Sequence, residues 1–278
     1  MDFPACIQSP SIDDIAKLTG ILSDAGIPSA LWGVNAAACH GGGLCPLDIE
    51  LVINDIDQAK TFQTLCSYGC LPSQPSTDES APCPKDFETW RELALHHQYH
   101  DRRHVRLNTP IYELPPTGDA LSDFLRPFVI VYSVEMVGLP KVPPLSEIKD
   151  PNSSEKGELD QRDYVRVSHL PHCILGSDES KSSLLAPGIR RLIQSEIHVI
   201  LKHANRPAVW GQHMAQLSEV IRSPGCGKGF ESFHEIVKPP QVKFAHWLQA
   251  HAEGNSSQEA LQCIRDEYRN AGCDGPTT

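Results

Sequence analysis

The chain has no apolar run long enough to cross a membrane. Its longest, Phe128 to Leu139, is interrupted by Ser133 and Glu135 and falls short of the roughly 18 residues that a span requires. The first twenty residues carry neither a basic start nor an apolar stretch, so no signal peptide is legible and a cytoplasmic setting is expected. Positive charge is also in short supply: 24 Lys and Arg stand against 35 Asp and Glu, a net charge of −11. Such a chain repels the phosphates that dominate nucleic-acid affinity, which argues against a nucleic-acid partner. Ten cysteines are present, yet no two form a C-x-x-C, so neither a metal cluster nor a disulfide framework is indicated and buried free thiols are expected. There is no G-x-S-x-G nucleophile elbow. Gly225-Cys226-Gly227-Lys228-Gly229 lacks the spacing and the Ser or Thr of a phosphate-cradling loop and reads as an interhelical loop.

What is present is enough for a folded core, with 40% hydrophobic and 21% charged residues. Ser11 and Asp14 mark a helix start, and Ile12, Ile15, Leu18 and Leu22 repeat at helical spacing up to Gly26. Ile27 to Trp32 reads as a buried strand closed by Gly33. Val34 to Cys39 is a short small-residue helix, and Gly41 to Gly43 form a turn. Leu47 to Ile53 alternates, is β-branched and predicts a strand, and a helix from Asn54 or Asp55 closes at Gly69. The order helix, strand, short helix, strand, helix is an α/β (α+β) beginning.

Further along, Leu71 to Lys85 reads as a loop, Phe87 to His97 as a helix, His104 to Leu107 as a strand and Phe128 to Val137 as another. The proline-rich, polar stretch from Pro140 to Asp163 is the best boundary. The pattern turns helical beyond it, over 189–203, 209–222, 242–251 and 258–270. The expected organisation is an α/β domain over 1–149, a linker or surface excursion over 150–168 and a helical region over 169–278.

Asp48 and Glu50 stand out among the acids. Residues i and i+2 of a strand point to one face, so both carboxylates project together. Their repulsion is usually relieved by a divalent cation, and Mg²⁺ takes such oxygen ligands together with substrate phosphates. Preceded by Leu31-Trp32-Gly33, the short helix through Ala36, Ala37 and Ala38, and followed by the helix ending Tyr68-Gly69, this strand resembles the nucleotidyltransferase fold over roughly residues 10 to 70. The overall plan looks like a degenerate branch of that superfamily found in fungal proteins, a small mixed sheet joined to a helical C-terminal half. The resemblance implies that Asp48 and Glu50 form the metal-binding pair. The chain departs from the family pattern at two places: Val34 stands where Ser or Gly normally meets the phosphates, and His104 and Arg106 occupy the polar positions of the strand where a third acid is expected.

Those departures, with no Lys/Arg cluster in the first 85 residues to receive a triphosphate, favour a repurposed enzyme that needs no cofactor. Its substrate would be a small, largely apolar metabolite of secondary metabolism, and a ring closure of the Diels–Alder type is one reaction a shaped cleft supports. Asp48, Glu50, His104 and Arg106 are the candidate catalytic groups, and Trp32, Gly33 and Asn35 the candidate substrate-binding ones. The alternatives are a Mg²⁺- and ATP-dependent transfer to a small-molecule hydroxyl, with Asp48 and Glu50 as metal ligands, and a non-catalytic binding protein. His96, His100 and His104 fall at i, i+4 and i+8 and form a metal-binding stripe only if one helix carries all three.

Overall fold

The computed structural model describes residues 7–73, 84–97, 107, 109–119, 123, 126–149, 162–226 and 239–271. The Ser11 hydroxyl accepts the Asp14 N–H at 3.3 Å and starts α1 (Ile12–Asp24), whose Ile15, Leu18 and Leu22 are fully buried. After β1 (Ser29–Leu31) the chain enters α2 (Gly33–Cys39) at once, then β2 (Ile49–Ile53), a 3₁₀ turn at Asp55–Asp57 and α3 (Gln58–Ser67). This is the opening order that the periodicity predicts.

Later elements differ in instructive ways. The loop expected from Leu71 begins with a strand, β3 (Leu71–Pro72), followed after the helix α4 (Phe87–His97) by its partner β4 (Ile111–Glu113). The strand expected at His104 to Leu107 lies outside the described residues except for Leu107, which is buried and outside any strand. The final expected strand stops early: β5 is Val129–Ser133, and the Ser133 hydroxyl accepts the Met136 N–H at 3.3 Å to cap α5 (Val134–Val137). A capping hydroxyl inside an apolar run outweighs the run itself.

The five strands form one small mixed sheet in the order β1-β2-β5-β4-β3, with β2 parallel to β5 and the other pairs antiparallel. The architecture is therefore mixed α+β. On one face Phe62 of α3 packs edge-on against Tyr112 and against Phe87 of α4.

Residues 150–161 lie outside the described set. The stretch before them is held to the first half, because the Asn54 side chain accepts from Val142 N at 2.8 Å and donates to Val142 O at 3.1 Å. A second, two-stranded sheet of β6 (Tyr164–Arg166) and β7 (Leu185–Pro187), with α6 (Asp178–Ser183) between them, precedes the helices. None of these three elements is apparent in the sequence pattern. Then come α7 (Ile189–Lys202), α8 (Pro207–Arg222), α9 (Pro239–Ala252) and α10 (Gln258–Asn270), close to the helical spans expected.

One hydrophobic core runs through both halves, from Leu18 and Leu51 to Ile197 and Leu217. Among the described residues seven cysteines are free; Cys39, Cys70 and Cys173 are buried, while Cys45 and Cys263 are exposed. Burial of the thiols therefore holds for some and fails for others. No helix among the described residues is long and apolar enough to cross a membrane.

His40 fastens α2 to β7. It is buried, and its Nε2 lies 2.9 Å from Pro187 O, which selects the tautomer with the proton on Nε2. Burial pushes its pKa down to about 4; the Pro187 carbonyl opposes that and His172 adds to it. The folded chain thus refuses a proton that the unfolded chain accepts below about 6.5. The stabilisation is complete above that pH and is lost as pH falls toward 4. Urea unfolding at pH 7 and at pH 4.5 should differ by on the order of 2 to 3 kcal/mol more in the native chain than in His40→Gln, which keeps a donor to Pro187 without the titration.

Candidate functional site

β2 lies between β1 and β5, so its acids sit on the face of a central strand. Asp48 precedes the first strand residue by one and is 6% exposed; Glu50 is 2% exposed. Both line one cavity of about 220 Å³ between β2, α2 and α8, which places them together as the i, i+2 spacing predicts.

Each carboxylate is held by a backbone group. Glu50 Oε2 accepts the Val34 N–H at 2.9 Å, one of the N-terminal amides of α2 that the helix itself leaves without a partner. Trp32, the residue at the cap position, supplies no side-chain bond, so a carboxylate from the neighbouring strand performs the capping, favoured by the positive end of the helix dipole. Glu50 Oε1 lies a long 3.5 Å from the Tyr132 hydroxyl. Asp48 Oδ1 accepts the Phe128 N–H at 3.0 Å, and Ile49 N donates to Phe128 O at 2.8 Å, so Asp48 closes the β2–β5 ladder at its first rung.

The neighbours of this pair follow from the same geometry. Asn35 returns the contact by accepting the Glu50 N–H on Oδ1 at 2.8 Å; it is a brace between α2 and β2 and does not line the cavity. Gly33 has φ +55, and a Cβ there would lie 2.4 Å from Glu50 Oε2. Trp32 is fully buried. Its Nε1–H donates to Ser195 Oγ at 2.9 Å, and that hydroxyl donates to Val137 O at 2.6 Å. Its ring meets Tyr132 edge-on at 4.5 Å and His213 at 5.4 Å. In this fold Trp32 is a core residue and not a cavity wall. His104 and Arg106 lie outside the described residues, as does His100 of the histidine stripe.

The cavity wall opposite the acids comes from α8, whose Gln212, Ala215 and Gln216 face it. Gln216 is 2% exposed, and neither its Oε1 nor its Nε2 has a hydrogen-bond partner among the described residues. Val34, Leu44 and Leu47 supply apolar surface, and the exposed Cys45 sits among them. Leu47, expected inside the strand, is outside it and 80% exposed. The glutamines are invisible to motif reasoning; the only signal is a polar residue at 216 beside Leu217 on the buried face of an amphipathic helix.

The positions flanking Glu50 across the sheet are Ile130 on β5 and, beyond it, Ile111 on β4. Glu113, outside any expected strand, is the last residue of β4 and is exposed. Among the described residues no three of His, Cys, Asp and Glu come together in a group able to hold a metal. No family model, curated protein or solved structure matches the chain.

The Gly33–Glu50 contact makes a direct prediction. Gly33→Ala should cost about 3 kcal/mol in urea unfolding, because it combines positive-φ strain with displacement of a buried carboxylate. Gly26→Ala is the reference. It also has positive φ, but its Cβ would meet only the flexible end of Lys60 at 3.5 Å, so about 1 kcal/mol is expected.

Proposed function

We propose that this chain is a nucleotidyltransferase-like domain turned to a small, largely apolar metabolite, and that its cavity works without nucleotide or metal. The observation that carries this reading is the Glu50 bond to Val34 N. In the resembled fold the start of this helix meets the phosphates of the nucleotide; here the chain's own carboxylate holds that amide. A triphosphate would have to displace a buried, hydrogen-bonded anion and meet Asp48 beside it, and among the described residues no Lys or Arg lines the cavity to offset the charge.

The same bond bears on a Mg²⁺ ion. Glu50 spends one oxygen on α2 and Asp48 one on Phe128. Hard cations draw carboxylates away from such duties only in exchange for several oxygen ligands. The donor set does not fit a two-carboxylate metal centre, and no step is assigned to one.

A shaped cavity whose walls combine apolar surface with carboxylate and carboxamide groups suits chemistry that depends on conformation, such as a ring closure. There the walls would hold a flexible chain in its reactive fold, and Asp48, Glu50 and Gln216 would orient its polar end. Thermal unfolding with millimolar Mg²⁺ and ATP tests the reading. The melting temperature should stay unchanged; a rise that Asp48→Ala abolishes would overturn it in favour of nucleotidyl transfer.

A further inference from the structure

The structure assigns a reversible oxidation site to Cys39 and Cys173, a pair of thiols that peroxide joins as a disulfide between the two halves of the chain. Cys39 is the last residue of α2, and Cys173 lies in the second half, in the turn before α6. Both are buried, and their thiols meet as hydrogen-bond partners. The backbones beside them are packed together as well. A Cβ on Gly41, two residues beyond Cys39, would lie 3.1 Å from the Cβ of His172, the residue before Cys173.

The turn that carries Cys173 is fastened on its other side too. A Cβ on Gly176 would lie 2.5 Å from Ile12 Cγ2, and Ser177 donates to Asp13 Oδ1 through its N–H at 3.0 Å and its hydroxyl at 2.8 Å. Cys173 N itself donates to Leu170 O at 3.2 Å. With α1 gripping one end of the turn and the close of α2 the other, the Cys173 sulfur is held against Cys39.

Two thiols placed in this way react in a fixed order. Cys173 is the outer one, because Ile174 and Leu175, which follow it, are exposed, whereas Cys39 is sealed in the core. The hydrogen bond from Cys39, helped by the charge of Lys181, outweighs burial and brings the Cys173 pKa down to about 7. The same hydrogen bond and burial push the Cys39 thiol well up. Cys173 is therefore the nucleophilic thiolate and Cys39 the thiol that resolves it. The Cys173 sulfur attacks one peroxide oxygen: the S–O bond forms, the O–O bond breaks and hydroxide leaves, giving a sulfenic acid. Cys39 then attacks that sulfur; the S–S bond forms, the S–O bond breaks, and the hydroxyl departs as water with the Cys39 proton. Two thiols and one peroxide thus give one disulfide and two waters. The bond ties α2, whose first turn brings Val34 to the cavity, to the turn before α6, and a dithiol reductant reverses it.

The test treats the intact chain with hydrogen peroxide at pH 7, alkylates it in denaturant and maps the peptides. A peptide linking Cys39 to Cys173 should form, and free Cys173 should disappear about tenfold faster than the exposed Cys263 on α10. The melting temperature should rise on the order of 5 to 10 °C, because the bond closes a long loop, and should return with dithiothreitol. In Cys39→Ser, dimedone should capture a sulfenic acid on Cys173; in Cys173→Ser, Cys39 should stay unmodified. If either variant fails to fold, the linked peptide of the native chain decides. The assignment is overturned if Cys39 and Cys173 remain free once Cys263 has reacted, if either is linked instead to another cysteine such as Cys45, or if dimedone captures Cys39. A link without a rise in melting temperature, the mark of bonding in unfolded molecules, overturns it as well.

Discussion

One carboxylate holds the site together. Glu50 reaches from the middle of the sheet to the first turn of α2, and the contact exists only because Gly33 has no Cβ and adopts positive φ. Asn35 closes the bracket in the opposite direction, from the helix back to the strand's own Glu50 N–H. Two hydrogen bonds of opposite sense over so short a distance fix both the rotation of the helix and the depth of the strand end. Asp48 then fixes the other side by binding Phe128 N where β5 begins. Each acid is thus an acceptor for a backbone donor that regular structure leaves unmatched, and this accounts for two carboxylates standing on the buried face of a central strand.

The second half of the chain is seated by Trp32. Its indole N–H, the Ser195 hydroxyl and the Val137 carbonyl form a buried relay from α2's cap position through α7 to α5. The His213 ring of α8 lies tilted at 5.4 Å from the same indole and pairs with Glu196 of α7 at 2.8 Å. These contacts set how closely α8 approaches β2, and so the width of the cavity whose far wall is Gln212 and Gln216. A buried polar relay is costly unless complete, and where complete it selects one packing among many apolar ones.

The opening third of the fold is legible because its signals are local. The Ser11 cap, the glycine stops and the alternation from Leu47 to Ile53 each act within a few residues. The strand readings overran at their ends, at Leu47 and Asp48 before β2 and around β1, which spans only Ser29–Leu31. The β3–β4 pair escaped because it joins Leu71–Pro72 to Ile111–Glu113, segments too short and too rich in proline to show a period. Phe128 to Val137 reads as one strand until Ser133 turns its hydroxyl to the backbone. For the site, the placing of Asp48 and Glu50 at one cavity is legible from their i, i+2 spacing, although Asp48 lies one residue before the strand. Their capping of backbone donors, the placement of Trp32 in the core and the arrival of Gln216 from a helix more than 160 residues away all depend on tertiary packing, which no window of sequence contains.

The charge balance takes on a different meaning once the acids are located. A net charge of −11 spread over a surface says only which polyanions stay away. Asp48 and Glu50 are instead both buried beside one cavity, where fields are screened less than at the surface and the sign of a ligand matters more. A nucleotide brings further negative charge to that space and adds to the repulsion between the two carboxylates. Glu50 already draws a partial positive charge from the helix end. A triphosphate there would compete with Glu50 for the same helix end and meet Asp48 beside it.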